Sequence, residues 1–455
     1  EEALVMSVER RDCIKQDERM TQLSQDRRKS SGQSKPFAIS KWDVMTAFEK
    51  VKANQGGAGI DGVTIEDFEK DLKKNLYKIW NRMSSGSYFP PPVAAVSIPK
   101  KAGGERILGI PTVSDRVAQM VVRDKLEIMV EPHFLEDSYG YRLGRSAHDA
   151  IGITRERCWK YDWVLEFDIK GLFDNIRHDL LMKAVRKHVQ HAEQRQGCNY
   201  EWVILYIERW LVAPLQKADG TRTEREIGTP QGGVVSPVLA NLFLHYVFDK
   251  WMEKHYPDNP WCRYADDGLV HARNRNKAEI LKRELEARFI ACGLEMHPTK
   301  TKIVYCKDKS RKGSAPNTQF DFLGYTFRAR SNKCKRTGEI YERFLPAVST
   351  TAQKAMRRKV KELKVRQKTQ YSLEQLSKWL NPMLRGWINY YGKFRRSELD
   401  SVFRHFNKTL VRWARRKYKQ LKRHKGKAVA FFDKLSVREP KMFAHWQFGS
   451  ARSFA

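Results

Sequence analysis

Along the chain, apolar residues fall into two rhythms. In the first 160 residues they recur mostly every three or four positions, as at Trp42, Met45, Phe48 and Val51, which predicts helices. That helical rhythm is interrupted by a predicted hairpin, Val93 to Pro99 and Arg106 to Ile110, closed by the glycine-containing turn 101–105. A helix is expected from about Ser114 to Val130. Trp163 to Ile169 is a nearly continuous apolar run with the length of a buried strand, and Asp168 stands at its end. Ser236 and Pro237 open a helix expected to reach about Lys254, since proline has no N–H to lose in a first turn. Trp261 to Tyr264 and Gly268 to His271 read as two strands around a turn at Ala265, Asp266 and Asp267. Phe320 to Arg328 is a further strand region with Gly324 inside it.

Beyond residue 345 the rhythm is helical throughout. Ser372 with Gln375, and Ser397 with Asp400, have the spacing of capping boxes. After Ser397, an apolar stripe of Leu399, Val402, Phe403, Phe406, Leu410, Trp413 and Leu421 predicts one long helix. A second stripe of Arg404, Lys408, Arg412, Arg415, Lys419 and Lys422 would leave a basic face on that helix.

Charge sharpens this picture. Across 455 residues, 86 Lys and Arg stand against 53 Asp and Glu, a formal net charge of +33. Such an excess favours a polyanionic partner, above all nucleic acid. From Tyr341 onward there are 29 basic and 7 acidic residues, so most of the excess lies in the last quarter, together with 18 of the 51 aromatics. A domain boundary near residue 340 follows. Seven scattered cysteines without a C-x-x-C pair exclude a zinc-finger or disulfide framework. No apolar run is long enough to span a membrane and no leader pattern opens the chain, which begins at Glu1 and reads as trimmed or processed. A cytoplasmic protein is expected, bacterial (associated with the nucleoid when it acts on DNA) or organellar, and the sequence does not decide between those origins.

The candidate chemistry lies in the carboxylates. Adjacent Asp266 and Asp267 in a turn repel each other unless a cation relieves them, although most Asp-Asp pairs are simply solvated turns. Asp168 changes the weighing. If its strand neighbours the Asp266–Asp267 turn in one sheet, three carboxylates converge and could hold two Mg²⁺ ions.

Tyr264-Ala265-Asp266-Asp267, Asp168 with Phe173 five residues on, and the segment 228–237 (GTPQGGVVSP) together resemble a reverse transcriptase. Further segments narrow the likeness to the group II intron reverse transcriptases, or maturases: Ile98 to Pro111, Ser138 to Ser146, Lys300 with Thr301, and Phe322 to Tyr325. The resemblance spans roughly residues 40 to 430. It implies a right-hand polymerase, with α/β fingers and palm followed by an all-α thumb or maturase domain. The expected segments are an N-terminal extension at 1–36, fingers at 37–160, palm at 161–340, thumb at 341–430 and a short tail at 431–455.

The same resemblance assigns roles. Asp168, Asp266 and Asp267 would bind the metals, helped by the Ile169 carbonyl. Lys100, Arg106, Gln231 and Lys300 would contact the nucleotide or its leaving pyrophosphate, with Lys302 a near competitor of Lys300. Phe173 would lie beneath the sugar and exclude a 2′-hydroxyl. Phe322, Leu323, Gly324 and Tyr325 would grip the primer end. Arg142 and Arg145 would meet template phosphates, with internal salt bridging as the alternative. Arg404, Lys408, Arg412, Arg415, Lys419 and Lys422 would face RNA. The implied partners are a group II intron RNA, target DNA or an RNA/DNA primer–template, and dNTPs, with no membrane.

Many members of this family carry a C-terminal zinc-containing H-N-H endonuclease. No Cys/His pattern for one follows Phe431 here, so second-strand cleavage is not expected, and a primer would come from a pre-existing 3′ end. The implied function is RNA-templated DNA synthesis coupled to intron binding, splicing and target-primed retrohoming. Its rivals are a domesticated enzyme in DNA repair or phage defence, a splicing cofactor with a silent polymerase, and an RNA-dependent RNA polymerase, which Phe173 opposes.

Overall fold

The apolar run before Asp168 needs cover on both faces, and the fold supplies it. The computed structural model describes residues 35–99, 105–311, 313–333, 336–448 and 453–454. Lys100 and nearly all of the N-terminal extension lie outside them. The strands in chain order are β1 (Val93–Pro99), β2 (Glu105–Ile110), β3 (Trp163–Asp168), β4 (Leu215–Gln216), β5 (Arg222–Thr223), β6 (Trp261–Tyr264), β7 (Asp267–Ala272), β8 (Lys302–Tyr305), β9 (Gln319–Phe322), β10 (Tyr325–Lys333) and β11 (Ile340–Val348). Three sheets result, in the orders β2-β1-β4-β5, β6-β7-β3-β8 and β11-β10-β9.

The central sheet positions the chemistry. β3 pairs antiparallel with β7 on one side and β8 on the other, so it is an interior strand. Alternate residues of β3 enter different cores. Leu165 and Phe167 join the large core with helices Val113–Val130, His178–Gln196 and Ser236–Leu244, while Val164 joins a smaller core with Cys262, Leu269 and Val304. A one-residue slip would carry Phe167 out of its core and Asp168 into it, so burial fixes the register. Gly268 permits the close packing, because a β-carbon there would collide with the Phe167 ring.

Capping explains several helix starts. Ser40 with Asp43, Ser146 with Asp149, and Ser372 with Gln375 form capping boxes. Ser397 does not. It lies inside a 3₁₀ turn, Arg396–Leu399, ahead of helix Asp400–Lys417. Trp42 also departs from its expected place: it is 70% exposed, and Val44, Ala47, Phe48 and Val51 form the buried face.

Two expected long helices are interrupted. The one opening at Ser236 contains a π-turn, His245–Asp249, before continuing as Lys250–His255. The basic helix ends at Lys417, because Tyr418 turns to extended backbone, and a further helix runs Lys425–Arg438. Lys419 and Lys422 therefore sit in a connecting 3₁₀ segment and its cap, off the axis that carries Arg404, Lys408 and Arg412. The 430/431 boundary falls inside helix Lys425–Arg438. Described residues beyond it contribute to the core: Phe432, Phe443, Trp446 and Phe454 share one apolar cluster with Phe406, Leu410 and Trp413.

Candidate active site and nucleic-acid interface

The β3–β7 register sets Asp168 directly opposite Asp267, and the tight β6–β7 turn carries Asp266 beside them. Ala265 takes a positive φ of 57° to make that turn. Gly140 backs it closely, since a β-carbon at Gly140 would strike the Ala265 amide. Three carboxylates that are distant in sequence are thus gathered at one end of one sheet.

Their electrostatics are those of a site short of positive charge. Burial, then the neighbouring Asp168, pushes Asp266 above its ordinary value. Asp267 is pushed up to about 7, by burial first and then by Asp266 and Asp168, with a hydrogen bond shared with Asp168. The Lys300 ammonium partly answers this, donating to Asp168 Oδ2 at 2.7 Å, and that contact raises the lysine's own value. Lys302, its neighbour in sequence, is engaged elsewhere, 3.2 Å from Glu166. Lys300 and Lys302 both line a cavity of about 290 Å³ with Asp168, Asp267 and Phe322.

Among the described residues, no group of three or more His, Cys, Asp or Glu side chains is arranged to hold a metal ion, and an ammonium sits on Asp168. The donor set nonetheless suits a hard divalent cation. It consists of carboxylate oxygens that must otherwise share a proton, beside an Ile169 carbonyl that accepts no hydrogen bond among the described residues. A raised carboxylate makes the folded metal-free protein bind more protons than the unfolded chain between the ordinary value and about 7. This contribution therefore lowers stability as pH rises through that window. Mg²⁺ should raise the melting temperature more at about pH 8 than at about pH 5.5, where a proton competes. Equal shifts at both values would refute a shared carboxylate cation site.

Around the carboxylates the expected nucleotide groups come together. The Arg106 guanidinium at β2 donates to the Gln231 side-chain carbonyl, and Gln231 Nε2 donates to Asp174 at 3.1 Å, next to half-buried Phe173. Gly232 lets the Gln231 loop lie on β2, where a β-carbon would meet the Gly109 carbonyl. Arg106 also lies near enough to Asp266 to pull its carboxyl value down. Lys100 lies outside the described residues.

Other expectations need correction. Arg142 is not free for template phosphates: its guanidinium is internal, 2.8 Å from Glu131 and donating to the Leu135 and Ser138 carbonyls. Arg145 is half-buried, its guanidinium 5.8 Å from the Tyr139 ring centroid. Arg415 is half-buried and donates to the Lys422 carbonyl at 3.4 Å, whereas Arg404, Lys408 and Arg412 are exposed. In the 322–325 segment only the turn is accessible. Phe322 and Tyr325 are buried, and Leu323 and Gly324 take φ of 50° and 80°. Tyr325 instead donates its hydroxyl to the Tyr390 carbonyl, and Tyr390 returns a hydrogen bond to the Leu323 carbonyl at 2.9 Å. This exchange ties the turn to helix Leu373–Tyr391 of the C-terminal helical region.

Two residues escaped sequence reasoning. Arg263, three positions before Asp266, is fully buried and grips Asp249 at 2.7 and 2.6 Å. It also donates to Ser138 Oγ at 2.8 Å, Asn241 Oδ1 at 3.1 Å and the Ala265 carbonyl at 3.3 Å, so it braces the aspartate turn from behind. In sequence it stands within the segment Cys262 to Asp267 that carries part of the family resemblance, but nothing there gave it a role. Arg225 leaves both terminal nitrogens buried without a hydrogen-bond partner, close enough to Asp174 to feel its charge.

Comparison with known proteins adds independent findings. Residues 98–327 match the family model "Reverse transcriptase (RNA-dependent DNA polymerase)", and residues 353–431 match "Group II intron, maturase-specific domain". The protein YkfC of Escherichia coli is 31% identical over 294 residues, which cover 55% of this chain and 73% of that protein. The group II intron-encoded protein LtrA of Lactococcus lactis is 27% identical over 365 residues, covering 66% of this chain and 57% of LtrA. Among solved structures, telomerase from Candida albicans aligns with a TM-score of 0.44 at 13% identity, over 84% of this chain and 67% of that one. No helix among the described residues is long and apolar enough to cross a membrane.

Proposed function

Because the chain belongs to the group II intron reverse transcriptase/maturase family, and is thus an RNA-dependent DNA polymerase that binds RNA and a nucleic-acid template, we propose that it binds one group II intron RNA, assists its splicing and copies it during target-primed retrohoming. The observation that carries this reading is one connected body: a palm end with three facing carboxylates, whose neighbouring turn is hydrogen-bonded to a basic, maturase-like thumb.

In this reading Asp168, Asp266 and Asp267, with the Ile169 carbonyl, hold two Mg²⁺ ions. Bound there, the ions would supply activation of the primer 3′-hydroxyl and neutralisation of the triphosphate. The protein's own groups do the rest. Arg106 and Gln231, already joined, present a guanidinium and an amide to the incoming dNTP. Phe173 backs the sugar with a rigid ring and leaves little room for a 2′-hydroxyl. Lys300 exchanges Asp168 for the leaving pyrophosphate, where its charge stabilises the negative charge that builds up. The Leu323–Gly324 turn meets the primer end through backbone, since the flanking aromatic rings are packed inside. Arg404, Lys408 and Arg412 offer exposed cations to RNA phosphates.

Sequencing the RNA that copurifies with the protein from its native host tests the reading. One excised, lariat-bearing intron is the expected result. A mixture of host RNAs, persisting at ionic strength that strips weak contacts, would sink the maturase role and favour a domesticated reverse transcriptase.

A further inference from the structure

Apart from the carboxylate site, a cavity of about 750 Å³ opens between the 3₁₀ turn Glu131–His133, helix His178–Gln196 and the π-turn His245–Asp249. Its wall gathers the imidazoles of His133, His188, His191 and His245 with the ammonium groups of Lys183 and Lys187, and among the described residues no carboxylate lines it. The His133 ring centroid lies 4.7 Å from that of His188 and 5.4 Å from that of His191. Two more cations on the wall, Arg186 and Lys250, have carboxylate partners in Glu208 and Glu253. Lys183 and Lys187 have none among the described residues, and Lys187 lies 5.1 Å over the Tyr246 ring.

Like charges drawn into a concavity repel until an anion enters. That repulsion is legible at His133, which burial, then His191, Arg195, Lys187 and Lys250, hold below its ordinary value. A metal ion is the other common guest of clustered imidazoles. Among the described residues no three ligands are arranged for one, and the surrounding cations oppose it.

We propose that this cavity is a phosphate site that seats the sugar–phosphate backbone of bound RNA outside the catalytic cleft. The proposal rests on the RNA-binding reading above. Lys183 and Lys187 donate to phosphate oxygens. Gln190 and Gln194 on the same wall, and neutral imidazoles, both donate and accept, which matches a ribose 2′-hydroxyl. Burial holds His188 down to about 4 and His245 down to about 3, so both are neutral near pH 7. The π-turn that lines the cavity also supplies Asp249 to the Arg263 network, so cavity and catalytic turn share one element.

The test uses the full chain with Lys183→Glu and Lys187→Glu combined, both at exposed positions. A control variant places the same charge change at Lys282 and Arg283 on helix Arg275–Ala291. Affinity for a structured group II intron RNA, for DNA of the same sequence and for a short primer–template is measured across a salt series. The expected result is a loss of about tenfold for the structured RNA, with a log K against log[salt] slope shallower by about 2. DNA and primer–template affinity, primer extension and the control variant should change little. Unchanged RNA affinity in the cavity variant, or an equal loss in the control, would overturn the proposal. Inorganic phosphate and pyrophosphate are probed separately through the histidine resonances. Saturable binding of either, with RNA affinity intact in the variant, would make this a small-anion site and overturn the RNA assignment. If the wild type shows no preference for structured RNA, the RNA-binding reading itself fails, which the wild-type curve alone reveals.

Discussion

Asp266→Ala is expected to lower primer extension by about 10³-fold or more while leaving the protein folded and RNA affinity unchanged. Losing one of three carboxylates would remove part of the charge that holds a metal pair in the proposed reading, an effect of several kcal/mol on the transition state, and each ~1.4 kcal/mol is tenfold in rate. Stability should move the other way. Asp266 is half-buried beside Asp168 and Asp267 with its ionisation opposed, so removing it relieves repulsion in the metal-free protein. Metal-free Asp266→Ala should therefore melt no lower than wild type and gain less from added Mg²⁺. Retained RNA affinity would also separate copying from RNA binding, since the exposed cations Arg404, Lys408 and Arg412 are untouched. Primer extension within tenfold of wild type would refute the assignment of this turn to catalysis.

Arg263→Met is expected to destabilise the protein by about 3–5 kcal/mol, because Asp249 is left as a buried charge without a partner. Both side chains have 0% exposure, so water cannot take over. Asp249→Leu combined with Arg263→Met should recover most of that loss, since replacing a whole buried pair by apolar groups is often neutral. Polymerase activity should stay at least about tenfold down in the double variant, because a misplacement near 1 Å in an active site is enough for such losses. The missing guanidinium no longer joins Ser138, Asn241 and the Ala265 carbonyl, so the turn beneath Asp266 and Asp267 loses its brace. Denaturant melts paired with single-turnover extension would separate the two effects. A double variant with full activity would reduce Arg263 to a structural residue, and a single variant losing under about 1 kcal/mol would refute the buried-pair argument.

These two cases differ in how visible they were. Asp168 stands at the end of an apolar strand, where a carboxylate is expensive and so conspicuous, and it is the strand pairing that sets Asp267 opposite it with Asp266 in the adjoining turn. Arg263 stands in the same β-hairpin, yet nothing local distinguishes it from a strand arginine facing solvent. Its partner Asp249 is 14 residues away, on a π-turn that breaks an otherwise regular helical pattern. Arg142 shows the converse. It lies in a Tyr/Gly/Arg loop that suits phosphate contact, but the chain folds back so that Glu131 and two carbonyls consume its donors. The apolar stripe from Leu399 to Trp413 is buried as the periodicity predicts, but the expected single helix stops at Lys417, where Tyr418 turns to extended backbone with its ring near those of Trp413 and Phe431.

By itself, then, the order of apolar runs and charges determined the α/β region, the helical C-terminal region, the basic skew and the three candidate aspartates. Those are properties of local rhythm and residue type, and the cost of burying charge makes them readable along one dimension. Tertiary structure alone decided which cations are free and which are spent inside, that Lys300 rather than Lys302 meets Asp168, and that four histidines from three separate segments share one cavity wall. Arginine, lysine and histidine carry the same groups whether they brace a turn or wait for a phosphate. Only the distances to partners far along the chain tell these uses apart.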